Sequence, residues 1–390
     1  MTETRELGVA VIGFGWMGQV HSRAWSRLLQ HYPDSPLRPW LVAVADPDEG
    51  QREKARSAYG FAHAYAAWPE LLERDDVSVV SVCGPNFVHR EIGSAVAASG
   101  RHVWIEKPAG RGTADTAAIA ESVRKAGVMS TVGFNYRNAP AIERARELVA
   151  SGRLGTVETV NVRLLADYSA HPDGGLSWRY DPEHAGTGVL GDLATHGFDL
   201  ATYVGGQAVG RITELVCDQA TFITDRPIVT GAVSHLSVRG GDGPRGPVGN
   251  EDQVSALLRF ASGAHGYLES SRAAIGEQCS YAIEVRGTRG AVSWDFRRMG
   301  ELQLCIDQDY QNATWQTHLV RPGDGELLSF QPGAGVAMGY DDLKVIEARH
   351  LVESISSGVP HGPTIEDVLV TAELVDAMVQ SFEEKRWVSL

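Results

Sequence analysis

A chain of 390 residues, 43% hydrophobic and 22% charged, has the material for two packed domains and the balance of an ordinary soluble globular protein. Its 35 Lys and Arg against 49 Asp and Glu leave a net charge of −14, which repels a polyanion, and no basic run with interleaved aromatics offsets it, so nucleic acid is not an expected partner. No apolar run reaches the roughly 18 residues of a membrane span, and Met1-Thr2-Glu3-Thr4-Arg5-Glu6 lacks the basic and apolar regions of a signal peptide, so the expectation is a cytoplasmic protein with no membrane partner.

Gly8-Val9-Ala10-Val11-Ile12 reads as a first strand, followed by Gly13-Phe14-Gly15-Trp16-Met17-Gly18 and then by helical spacing from Gln19 to Leu29. Glycines at 13, 15 and 18 permit a sharp turn, a bare backbone against a pyrophosphate and close packing of helix on strand. The amides of the new helix, with its dipole, suit anionic phosphates, so residues 13 to 18 are assigned to a dinucleotide. A glycine-rich turn alone is a weak signal; its place between a strand and a helix gives it weight.

Leu41-Val42-Ala43-Val44-Ala45-Asp46 is a second buried strand ending in an acid, set off by a proline-rich insertion from His31 to Pro39. The Asp46 carboxylate can accept both ribose hydroxyls of NAD and would repel a 2′-phosphate, which favours NAD and leaves NADP as the alternative. Asp48 to Tyr59 and Trp68 to Leu72 read as helices, and Val77 to Cys83 as a strand that stops at Gly84-Pro85-Asn86. The carboxyl ends of such strands face the ligand crevice, so Gly84, Pro85, Asn86 and His89 are expected at the cofactor, with a solvent-facing His89 as the alternative.

A helix from Glu91 to Ser99 leads to a strand closed by Glu106-Lys107-Pro108, where Glu106 and Lys107 join the cofactor set. An ammonium at the end of a buried strand can steady a developing alkoxide, which makes Lys107 a catalytic candidate beside the bland reading of a solvated lysine. Helix Thr113 to Ala126 and strand Val128 to Phe134 complete a run of alternating strands and helices, a doubly wound parallel sheet over residues 1–135.

Beyond this point the pattern changes. After a helix from Pro140 to Ala150 and the turn Gly152-Arg153-Leu154-Gly155, longer alternating segments appear at Val157 to Leu165, Gln253 to Phe260, Ala264 to Ser271, Ser280 to Arg286 and Gly290 to Phe296. They predict an α+β domain over 136–390 with a large antiparallel or mixed open sheet. The Gly/Pro-rich stretch from Val238 to Gly249 reads as a surface loop, and the last helices, near Asp341 to Ser357 and Thr364 to Glu384, are candidates to pack back on the first domain.

Gly186-Thr187-Gly188-Val189-Leu190-Gly191-Asp192-Leu193-Ala194-Thr195-His196 runs from a glycine-rich loop into a helix, with Asp192 and His196 one turn apart on one face. A metal would need a third ligand that the sequence does not offer, and Cys83, Cys217, Cys279 and Cys305 form no Cys-x-x-Cys pair, so no metal is expected. A general base with an orienting carboxylate matches dehydrogenation; a structural cap is the alternative.

Gly13-x-Gly15-x-x-Gly18, Glu106-Lys107-Pro108 and Asp192-x-x-x-His196, in this order and spanning nearly the whole chain, resemble the glucose–fructose oxidoreductase, inositol dehydrogenase and rhizopine-catabolism family. The stretches Phe134-Asn135-Tyr136-Arg137, Leu176-Ser177-Trp178-Arg179 and Gly240 to Pro247 are similar to its levoglucosan dehydrogenase branch. The resemblance implies an α/β fold with an N-terminal Rossmann domain, a catalytic set of Lys107, Asp192 and His196, a cis bond at Pro108, and hydride transfer between NAD and a secondary hydroxyl of a sugar, anhydrosugar or cyclitol. Tyr136, Arg137, Tyr168, Trp178 and Arg179 join Asp192 and His196 as substrate candidates, since a polyol needs hydrogen-bond donors and a flat apolar surface. The rival readings are an NAD-dependent glycosidase or self-recycling oxidoreductase with resident cofactor, and a dinucleotide- and sugar-sensing regulator. The uncovered face of the second sheet predicts a homodimer or homotetramer.

Overall fold

Continuous apolar strands need cover on both faces, and the first third of the chain provides it by alternating them with helices. The computed structural model describes residues 5–229, 243–306 and 309–390. It divides into two compact units, Met1–Asn135 with Met338–Ala372, and Tyr136–Ala337 with Glu373–Leu390.

In the first unit the strands are β1 (Arg5–Ile12), β2 (Leu37–Ala45), β3 (His63–Tyr65), β4 (Val79–Val82), β5 (His102–Ile105) and β6 (Ser130–Val132), interleaved with helices α1 (Trp16–His31), α2 (Glu49–Tyr59), α3 (Asn86–Ala98) and α4 (Thr113–Ala126). They form one parallel sheet in the order β3-β2-β1-β4-β5-β6. The order reverses between β1 and β4, which opens the crevice where an α/β sheet takes its ligand. Val9, Val11, Val80, Val82, Val103 and Ile105 are fully buried in its core.

Two local expectations differ in the structure. The second strand starts at Leu37, inside the proline-rich stretch; Pro39 is tolerated because β3 pairs only with Ala43 to Ala45, leaving that edge of β2 unpaired. Trp68 to Leu72 is not an α-helix but leads into a short 3₁₀ turn, Pro69–Glu73. The three-residue β3 is too short for any period to announce it.

In the second unit α5 (Pro140–Ala150) precedes β7 (Val157–Leu165), α6 (Pro182–Ala185), a π-helical turn at Leu190–Ala194 and α7 (Thr195–Val209). The strands β8 (Ile212–Ala220), β9 (Asp225–Pro227), β10 (Arg245–Pro247), β11 (Gln253–Phe260), β12 (His265–Ser271), β13 (Ser280–Gly287), β14 (Gly290–Asp295), β15 (Glu301–Ile306), β16 (Gln316–Leu319) and β17 (Val388–Ser389) follow. The short helix α8 (Leu327–Phe330) precedes α9 (Tyr340–Ser357), which belongs to the first unit, and α10 (Ile365–Glu384), which is divided between the two.

A nine-stranded sheet runs β16-β15-β14-β13-β7-β12-β11-β8-β17, mixed rather than purely antiparallel because β7 and β12 run parallel. Strict alternation on β11 buries Val254, Ala256, Leu258 and Phe260. The helix α7 lies so close to the same face that a side chain at Gly197 would meet Leu164 and Leu268. The opposite face exposes the cross-strand pair Leu257 and Tyr267. The Gly/Pro-rich stretch holds β10, paired with β9, while residues 238–242 of it lie outside the described residues. No helix among the described residues is long and apolar enough to cross a membrane.

Candidate active site

At the end of β1 each glycine does a separate job. Gly13 has φ of +85°, and a Cβ on Gly18 would come within 2.0 Å of the Gly13 carbonyl. Gly15 has nothing within 4 Å of where a Cβ would stand, so the backbone there is open to a ligand. Helix α1 starts at Trp16 with no side-chain cap and no acidic residue in its first turn, leaving its amides and dipole to an anion. The Phe14 amide donates to Asp46 Oδ2 at 2.6 Å, and the Asp48 amide donates to Asp46 Oδ1 at 2.9 Å. The second-strand acid and the glycine loop are thus tied together, and the cradle fits a dinucleotide with a ribose beside Asp46. The ring of Trp16 stacks on Tyr340 at 5.3 Å, and Met17 Sδ lies 3.8 Å from the Tyr340 hydroxyl.

Gly84 and Pro85 lead into α3, which begins at Asn86. His89 is buried, with Nε2 2.8 Å from the Gly84 carbonyl and Nδ1 2.9 Å from the Pro108 carbonyl, so its one N–H in the neutral ring donates to one of the two. Burial lowers its pKa, against the pull of the two carbonyls.

The buried Glu106 carboxylate accepts from His21 Nε2 at 2.8 Å and from Lys344 Nζ at 2.5 Å, and Lys344 also pairs with Glu347 at 3.0 Å. Burial alone would raise the Glu106 pKa, but Lys344 and His21 outweigh it and hold the group well below the usual carboxylate range. Burial lowers His21 to about 4, and pushes Glu347 up to about 7 against the opposing pull of Lys344. This ion cluster lies inside the first unit behind the strand end; Lys107 follows directly, and its bond to Pro108 is cis.

In the second unit Asp192 lies in the π-turn and His196 in the first turn of α7, so the pair does not share a regular α-helix as its spacing had predicted. The Tyr168 hydroxyl donates to Asp192 Oδ2. Burial, and then the Asp192 charge, push the Tyr168 pKa well above its ordinary value, which keeps the phenol protonated and donating. His196 is buried, its ring edge-on to Tyr136 at 4.6 Å. Tyr136 in turn packs on Tyr281 at 5.3 Å and Phe296 at 4.9 Å, two rings that no sequence motif had marked.

The Arg137 guanidinium grips both oxygens of Asp199 on α7 and lies over the Tyr203 ring at 4.5 Å. Arg179 stacks on Trp178 at 4.4 Å, and its carbonyl accepts from Asn250 Nδ2 at 2.7 Å. Among the described residues no group of three or more His, Cys, Asp or Glu side chains could hold a metal ion.

Residues 7–134 match the model of an oxidoreductase family with an NAD-binding Rossmann fold, and residues 142–293 match a GFO/IDH/MocA C-terminal domain. The chain is 32% identical over 388 residues to levoglucosan dehydrogenase of Pseudarthrobacter phenanthrenivorans, covering 99% of this chain and 98% of that one. It is 26% identical to myo-inositol 2-dehydrogenase of Thermotoga maritima, with 98% of each chain covered. A solved structure of levoglucosan dehydrogenase in complex with NADH and L-sorbose superposes with a TM-score of 0.91 at 31% identity, covering 99% of both chains.

Proposed function

The chain belongs to the GFO/IDH/MocA oxidoreductase family, and from that premise we propose that it oxidises a secondary hydroxyl of a sugar, anhydrosugar or cyclitol with NAD, or runs the reverse reduction. The observation that carries this reading is the open glycine cradle with Asp46 on the Phe14 amide, in a chain that also keeps Lys107, Asp192 and His196. When bound, NAD supplies the acceptor for the hydride that leaves the carbinol carbon. Gly13 to Gly18 hold its pyrophosphate and Asp46 its ribose.

His196 takes the hydroxyl proton on a ring nitrogen, and the Lys107 ammonium donates a hydrogen bond to the same oxygen as negative charge grows there. Asp192, oriented by the Tyr168 hydroxyl, accepts from the substrate or the His196 ring. Tyr136, Tyr281 and Phe296 give the base an apolar wall that excludes water and can face the flat side of a sugar ring. A carboxylate at position 46 repels a 2′-phosphate, which supports NAD over NADP. The exposed Leu257 and Tyr267 support a homodimer or homotetramer through the open sheet face.

The test is NADH formation, followed by absorbance, with levoglucosan, myo-inositol and D-xylose, each offered with NAD and with NADP. A polyol that yields NADH in the presence of NAD is the expected result. Tight NAD binding with no NADH formed from any of them, and none consumed with the corresponding ketones, would contradict the reading.

A further inference from the structure

Asn250, Glu251 and Asp252 are three consecutive polar residues between β10 and β11, exposed by only 5%, 7% and 0%. Buried polar groups are expensive unless bonded, so each should have a partner that explains it. Asp252 Oδ2 accepts from the amides of Phe222 at 2.9 Å and Ile223 at 3.0 Å, and its Oδ1 accepts from Arg272 Nε at 2.9 Å. Asn250 Oδ1 accepts from Arg272 Nη2 at 2.8 Å, and its amide donates to the Arg179 carbonyl. Asn250 and Asp252 thus form, with Arg272, a fixed polar block.

Glu251 uses that block as an anchor and reaches the loop before Asp192. One carboxylate oxygen, Oε1, accepts from the Gly188 amide at 2.8 Å and from the Leu190 amide at 2.9 Å. Its backbone carbonyl accepts from the Val189 amide at 3.1 Å. Three successive amides at the start of the π-turn therefore end on one residue. The approach is close enough that a Cβ at Gly188 would lie 2.2 Å from the Glu251 carbonyl, so glycine there admits Glu251. First-turn amides have no intrahelical acceptor, and a π-turn is a rarer arrangement than the α-helix that follows it. Asp192 stands two residues past Leu190, its carboxylate accepting from the Tyr168 hydroxyl.

We propose that Glu251 is a positioning residue for the reaction, its carboxylate and carbonyl fixing the first amides of the π-turn and so the direction in which Asp192 and His196 are presented. This rests on the reading that those two side chains act on the substrate. Glu251 touches neither of them and acts through the backbone of residues 188–190. An acceptor oxygen at the right reach is what the site requires, and glutamine also provides one.

The experiment compares Glu251→Ala, Glu251→Gln and His196→Ala with the wild-type chain. Turnover is measured with NAD and the best polyol of levoglucosan, myo-inositol and D-xylose; NADH affinity is read by fluorescence, and amide exchange is followed over residues 186–196. Glu251→Ala should lower kcat by about 10- to 100-fold, the range of a sub-ångström to ångström misplacement, with KM changed less than about threefold and NADH affinity within about twofold. Amide exchange in the segment should rise by at least about tenfold.

Glu251→Gln should recover most of the turnover and the exchange protection. If Glu251→Ala does not fold, Glu251→Asp, which withdraws the carboxylate by one methylene, takes its place with the same expectation. Wild-type kcat or unchanged exchange in the folded variant would overturn the proposal, as would a Glu251→Gln variant as slow as Glu251→Ala. Full activity in His196→Ala would instead overturn the reading on which the proposal rests.

Discussion

Each oxygen of Asp46 accepts one backbone amide, from Phe14 and from Asp48, which fixes the carboxylate beside the glycine loop, where we propose that it meets the ribose of NAD. Asp46→Ser should therefore weaken NAD binding and raise the ratio of kcat/KM with NADP to that with NAD by at least about tenfold, since it removes both an acceptor for the ribose and a charge facing the phosphate. Steady-state kinetics with the two cofactors checks this; an unchanged ratio would take Asp46 out of cofactor selection. The motifs that carry the glycines, Asp46, Lys107, Asp192 and His196 were legible because each is short and lies near the end of a strand or the start of a helix. The buried partners of Glu106 and Arg137 were not, because they are distant in sequence. Lys344 is 238 residues from Glu106, and Asp199 is 62 from Arg137.

At the scale of elements, α1, β5 and α9 meet in a buried ion cluster whose titration has a definite sign. Glu347 is raised by burial to about 7. It therefore holds its proton more firmly in the folded chain than in the unfolded one, where a glutamate titrates near 4.3. Its contribution to stability falls as pH rises from about 4.5 to about 7 and is level above that. His21, lowered to about 4, runs the other way and loses stability as pH falls below about 6.5.

Glu347→Gln removes the first contribution and keeps the second. Paired thermal melts should show the variant gaining a few degrees on the wild type between about pH 5 and pH 7, with a constant difference above. A difference independent of pH would mean that Glu347 does not titrate in that window. Elements with long apolar runs, such as β1 and β2, were legible from pattern alone. The π-turn was not, since its wider winding leaves no trace in the order of residues 190–194, and Glu251, which accepts from its Leu190 amide, is 61 residues away in sequence. Short strands such as β3 and β17 carry too few residues for a period.

For the whole molecule, the change from strand–helix alternation to long alternating strands predicted an α/β chain with a parallel sheet and a second, mixed one, and both sheets are present. The parallel pairing of β7 with β12 was not legible, because alternation reports which face is buried and not strand direction. The open face of the second sheet carries Leu257 opposite Tyr267, both exposed in the single chain. If that face holds the proposed oligomer together, Leu257→Asp, which places a charge on it, should shift light scattering to a monomer without lowering the melting temperature of the isolated chain. A wild-type chain that scatters as a monomer at micromolar concentration would contradict an interface there.

We propose His196 as the base and Lys107 as the donor to the developing oxyanion, and turnover of Lys107→Ala and His196→Ala on the best polyol with NAD tests this most directly. Each folded variant, with NADH affinity near that of the wild type, should lose at least about 10²-fold in kcat. Near-wild-type kcat in either variant would contradict the account.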